Sequence, residues 1–184
     1  MNSIANSISP SEILTFWRHA GYERWYGKDD AFDQELRTRF MSVWEAARDG
    51  KLASWQDSDD GALALLIVLD QFPRNMFRND PRAFSTDALA REVATRAIAE
   101  GRDLRTDPVM RAFIYLPFEH SEDMADQERS IALFAPLGEG SLKWAALHAD
   151  IIRRFGRFPH RNGVLERSTT PEETAFLKDG GFSG

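Results

Sequence analysis

The stretch DDAFDQELRTRFMSVWEAARDG, residues 29–50, decides how the rest of the chain is read. Phe32, Leu36, Phe40, Val43 and Trp44 recur every three or four residues, the period of one face of an α-helix, and charged residues fill the positions between them. Asp29 or Asp30 supplies a helix start, and Gly50 a stop. The same punctuation recurs on both sides. Ser9-Pro10-Ser11-Glu12 reads as an N-cap, a first-turn proline and a reciprocal capping acid, opening a helix with Gly21 as its expected end. Residues 58–71 are apolar on almost every side and fit a buried central helix. Ser85 or Thr86 caps a helix ending at Gly101. Asp107-Pro108 opens one expected to stop before Pro117, and Ser121 is expected to cap the next, to about Ala135. Leu142, Trp144, Ala145, His148, Ile151, Ile152 and Phe155 mark a long helix before Gly156. Thr170-Pro171-Glu172-Glu173 repeats the N-terminal capping pattern. Alternating strand patterns with hairpin turns are missing, so the expected fold class is all-α, about eight helices packed as antiparallel hairpins.

The 184 residues hold 21 aromatic side chains and no cysteine. That size suits a single helical domain, residues 1–184, with a disordered N-terminus at 1–8 and a flexible tail at 179–184. Without cysteine, disulfides, thiolate metal sites and cysteine nucleophiles are excluded. The longest apolar run, Ala62 to Leu69, is far short of the roughly 20 residues a membrane-spanning helix needs. No secretory or transit signal is read in MNSIANSISP, and a soluble cytoplasmic protein is expected. The net charge of −6 disfavours nonspecific nucleic-acid binding.

Three proline turns echo one another: LDQFPRN at 69–75, YLPFEHSE at 115–122 and FGRFPHRN at 155–162. Together with STTPEETAFL at 168–177, they resemble an uncharacterised, mostly bacterial family, domain of unknown function 924. The resemblance spans roughly residues 11–182 and implies a helical array similar to tetratricopeptide-repeat proteins, but no activity. Members of that family usually carry Leu-Gly-Arg after the FPHRN turn. Here Leu165-Glu166-Arg167 stands there, and an acid argues against a tight backbone turn or an anion contact at that place.

Two kinds of chemistry are concentrated at these turns. Residues 151–167 contain Arg153, Arg154, Arg157, Arg161 and Arg167 against Glu166 alone, and residues 71–82 contain Arg74, Arg78 and Arg82 against Asp80. Guanidinium groups beside the amides of Asn75 and Asn162 suit recognition of a carboxylate or phosphate. Arg74, Asn75, Arg78, Arg157, His160, Arg161 and Asn162 are therefore the candidate ligand-binding residues, and an acidic peptide or small anion the candidate partner. The same arginines can equally form ion pairs within the chain. Glu119, His120, His148 and His160 are the candidate acid–base residues, with Glu122, Asp123 and Asp150 near them. No spacing of histidines fixes a metal site, and neither a phosphate-binding glycine loop nor a Gly-x-Ser-x-Gly nucleophile turn is present, so no cofactor or metal is expected. The leading expectation is a non-enzymatic scaffold or binding module using an arginine-rich face. The alternative is a small acid–base or metal-assisted hydrolase centred on Glu119 and His120. A third reading makes the turn motifs locks that hold helix hairpins together.

Overall fold

The computed structural model describes residues 8–182, so most of the expected disordered start and the last two residues of the expected tail lie outside the described residues. The described residues form helices and turns with no strand among them, and the fold is all-α. The chain divides into two compact units at the Pro117–Phe118 peptide.

The first unit opens with α1, Pro10–Tyr26, whose capping box forms as expected: Glu12 N–H donates to Ser9 Oγ, and Ser9 N–H to the Glu12 carboxylate at 2.8 Å. Gly21 does leave helical geometry, with φ 73°, a value glycine takes without steric cost. The helix nevertheless resumes to Tyr26. Beyond the kink Trp25 donates its indole N–H to Trp17 O at 2.7 Å and stacks on the Trp17 ring. Asp29 caps α2, Asp30–Arg48, by accepting from the N–H groups of Ala31 and Phe32. Its apolar face, Phe32, Leu36, Phe40, Val43 and Trp44, is buried as the spacing predicts.

The buried central helix does not end at Gln71. From α3, Asp59–Leu66, the chain passes through one π-helical turn, Ile67–Gln71, into α4, Phe72–Met76. The wider turn lets Phe72 N–H reach Ile67 O. Pro73 has no N–H to offer Leu69 O, and that carbonyl accepts instead from the Thr86 hydroxyl at 2.5 Å. This explains why Thr86, at the N-cap position of α5, Asp87–Ala99, makes no side-chain cap of its own. The short α6, Arg102–Arg105, leads to α7, Pro108–Glu119, which runs through Pro117 instead of stopping before it. Trp17, Phe40, Phe72 and Phe113 form the aromatic centre of this unit, each at most 1% exposed. Burying a side chain of that size contributes roughly 2–3 kcal/mol.

In the second unit α8, Met124–Phe134, is capped by Asp123, which accepts from Ala125 N–H at 2.8 Å. Ser121, the expected cap, instead accepts from Asp123 N–H and donates to Asp126. Gln127 reaches back from α8 and donates to the carbonyls of Glu119 and Ser121 at 2.7 and 2.6 Å, which fixes the turn carrying Glu119 and His120. Next comes α9, Glu139–Phe155, closed by Gly156 at φ 69°. Ala145, His148, Ala149, Ile151 and Ile152 form its buried stripe. Trp144, expected there, is 48% exposed. The last helix is α10, Pro171–Lys178, with the expected capping box of Thr170 and Glu173. Ile151, Ile152 and Phe158 make the core, with Met124, Phe155, Phe176 and Phe182 packed on it.

Glu166 overturns one expectation. The tight turn is kept, with Glu166 itself in the left-handed region at φ 54°, while Arg167 N–H closes onto Asn162 O at 2.8 Å. The strain of a side chain at positive φ, of order 1 kcal/mol, is held in place by the Arg167 contacts described below.

Candidate functional site

Arg74, Asn75 and Arg78 in the first unit, and Arg157 and Asn162 in the second, close on buried acids of their own unit. In the first unit Asn75 Nδ2 donates to Asp33 Oδ1 at 2.9 Å, and Arg78 Nε donates to Asp33 Oδ2 at 2.5 Å. Arg74 lies between Asp70 and Asp87, with Nη1 and Nη2 on the two Asp87 oxygens at 2.9 and 3.0 Å. Burial opposes the charge on Arg74, but the two carboxylates outweigh it and raise the pKa of its guanidinium. In the second unit Arg157 donates to both Glu173 oxygens at 2.6 and 2.9 Å, and Asn162 Nδ2 to Glu173 Oε2 at 3.0 Å. Glu173 also accepts from Thr170 N–H at 2.8 Å as the capping acid of α10. The Arg157 guanidinium first, and then these N–H groups, hold its carboxyl at about 2, well below its ordinary 4.5.

The guanidinium-plus-amide pattern thus recognises a carboxylate, and in each turn that carboxylate belongs to the chain. Asp33 and Glu173 are the partners the sequence reading missed. Asp33 carried a signal, a charged residue on the apolar face of α2 beside Phe32 and Leu36. A third clamp joins the middle and last turns. Glu122 accepts from Phe158 N–H at 2.7 Å and takes Arg167 Nη1 and Nη2 at 2.7 and 3.0 Å. Burial pushes the Glu122 carboxyl up, but Arg167, Phe158 N–H and Arg161 outweigh it, and the net displacement is downward.

What those clamps hold together is a group of imidazoles. Phe158 is fully buried, and the ring of His148 packs on it at 5.5 Å, that of His160 at 5.6 Å. Phe182 touches both histidines, at 4.6 and 5.3 Å, and the ring of His120 lies 6.5 Å from that of His148. Arg161, 7% exposed, sets its guanidinium 4.4 Å over the Phe158 ring. Three of the four histidines are brought together, although 40 residues of chain separate His120 from His160. Asp123 caps α8 and Asp150 pairs with Arg153, so neither joins them.

Glu119 and His148 are both buried. His148 Nδ1 lies 2.9 Å from Trp144 O and 3.4 Å from Glu119 Oε1. A backbone carbonyl only accepts, so Nδ1 carries the proton and the basic lone pair of neutral His148 is on Nε2. Glu119 lies on that Nδ1–H side of the ring and orients it. Among the described residues no group of three or more histidine, aspartate and glutamate side chains is placed to hold a metal ion, and no helix is long and apolar enough to cross a membrane.

A family described as "Bacterial protein of unknown function (DUF924)" matches residues 13–181. A solved structure of a protein of unknown function from Agrobacterium tumefaciens is similar to this chain, with 46% sequence identity and a TM-score of 0.91, over 93% of this chain and 97% of that one. No curated protein matches. The matched span takes in all three proline motifs, the clamps built on them and the imidazole group, and the chain belongs to this bacterial DUF924 family.

Proposed function

We propose that the second unit carries an acid–base site acting on a small substrate, in which His148, backed by Glu119, accepts a proton at Nε2. The carrying observation is the buried Glu119–His148 pair with its Nδ1–H tautomer fixed by Trp144 O, flanked by the half-buried rings of His120 and His160. In a hydrolytic step water loses a proton to His148 Nε2 while its oxygen bonds to the electrophilic carbon or phosphorus of the substrate; the bond from that atom to the leaving group breaks, the leaving group takes a proton from a protonated His120 or His160, and proton exchange with water restores both imidazoles. General acid–base catalysis of this type contributes about 10²–10⁴-fold. A binding role without chemistry, for a small anion, draws its support from Arg161, whose guanidinium stands over Phe158 next to His160.

Turnover of a panel of small esters, amides and phosphoesters separates the two. For an acid–base site, the substrate that is turned over should lose about 10²-fold or more in kcat/KM with His148→Gln, and a smaller factor with Glu119→Gln, while both variants keep the native circular dichroism. No turnover across the panel, combined with thermal stabilisation by small anions that Arg161→Gln abolishes, would favour the binding role.

A further inference from the structure

A separate feature of the first unit does not depend on the reading of the imidazole group. A groove of about 480 Å³ opens beside α1 and α2, within the usual range of roughly 300–1,000 Å³ for small-molecule sites. Its aromatic part is Phe16 and Phe32, parallel within 7° at 5.5 Å. Arg39 stands 4.6 Å over the Phe16 ring and Arg24 5.7 Å over that of Phe32. Glu12 and Glu35 complete the charged lining, with His19 and the hydroxyls of Ser11 and Thr15 beside them.

These charges differ in kind from the clamps. Arg74, Arg157 and Arg167 each meet a carboxylate with two nitrogens, whereas the groove arginines are about half exposed and hold single-point ion pairs among the described residues. Arg39 meets Glu35 through Nη1 at 2.7 Å, and Arg24 meets Asp29 through Nε at 3.3 Å. Glu35 correspondingly uses one oxygen, and Glu12 holds Ser9 through Oε2 alone. His19 donates Nδ1–H to Thr15 O, which leaves its lone pair on the exposed Nε2. Each side of the ledger of charge therefore keeps hydrogen-bonding capacity: two guanidiniums with remaining N–H groups and two carboxylates with a remaining oxygen. The four charges cancel. A cation or an anion alone meets as much repulsion as attraction in such a groove, while a molecule that is itself dipolar meets both signs favourably. Exposed single-point pairs are weak enough to open to a competing ligand.

We propose that this groove binds a small zwitterion with an aromatic body, of the aromatic α-amino acid class: its carboxylate on Arg39 or Arg24, its ammonium on Glu35 or Glu12, and its ring against Phe16. Titration of the ¹⁵N-labelled full chain with L-phenylalanine, followed by amide and arginine side-chain shifts, tests it. Shifts confined to residues of α1 and α2 are expected. Binding should weaken at least 5-fold with phenylacetate, phenethylamine or alanine, each of which lacks one of the three features. Arg39→Gln and Glu35→Gln should each weaken L-phenylalanine at least 5-fold with no change in melting temperature. Equal binding of any one analogue, shifts outside α1 and α2, indifference to both substitutions, or no shift up to about 10 mM would each overturn the proposal. None of these outcomes bears on the Glu119–His148 site, which lies in the other unit.

Discussion

Replacing Glu173 with alanine should lower the unfolding free energy by about 2 kcal/mol, less than the usual cost of breaking a fully buried ion pair because Arg157 is only half-buried. The substitution strands Arg157, the Asn162 amide and Thr170 N–H together, because one carboxylate serves all three. Urea melts of the native chain and the variant, followed by far-ultraviolet circular dichroism, measure it. Acid gives an independent check. The folded-state pKa of Glu173 is depressed to about 2 from an ordinary 4.5, so its contribution is fully present above pH 4.5 and is lost as pH falls toward 2. Glu173→Gln keeps the shape and removes the titration. Its stability difference from the native chain should therefore narrow across that window, and a constant difference would count against the clamp.

A larger loss is expected for Phe72→Ala, about 3–5 kcal/mol. Phe72 is fully buried, and its ring meets Phe40 at 5.2 Å, Trp17 at 5.7 Å and Phe16 at 6.5 Å. Aromatic side chains on α1 and α2 converge on it, and none of them can shift to fill the space without leaving its own packing. Thermal and urea melts should show the loss. A cost under 1 kcal/mol would mean that the aromatic centre relaxes around the cavity, contrary to the packing described. Phe72→Leu, which refills most of the volume, should recover more than half of the loss.

Helix starts were the most legible part of the sequence, because a capping side chain and the backbone N–H that donates to it lie within three residues of each other. Ser9 with Glu12, Thr170 with Glu173, and Asp29 all cap as read. The proline rules failed at Pro73 and Pro117 because they are local. At Pro73 the carbonyl that loses its helical partner is supplied by Thr86, 17 residues further along, and a π turn absorbs the extra width. Ser121 was misread for a related reason, since Asp123, two residues on, offers the stronger acceptor.

At the turns the donors were legible and the acceptors were not. Arg78 and Asn75 announce that a carboxylate is recognised, but Asp33 lies more than 40 residues away and nothing in the spacing names it. Glu173 was visible only as a helix cap, although the same side chain is also the centre of a clamp. The grouping of His120, His148 and His160 depends on Phe158 and Phe182 packing between them, a tertiary fact that periodicity along α9 does not contain. Glu166 shows the opposite case, a position where residue type argued against a turn that the surrounding contacts impose.

The tautomer of His148 is the most direct test of the central claim, since the proposed proton acceptor is Nε2 only if Nδ1 holds the proton. Nitrogen-15 resonances of the histidine rings, assigned through two-bond correlations at a pH where His148 is neutral, report it without any substrate. The structure predicts a protonated, pyrrole-type Nδ1 and a basic, pyridine-type Nε2. A neutral His148 protonated on Nε2 would contradict the acid–base assignment.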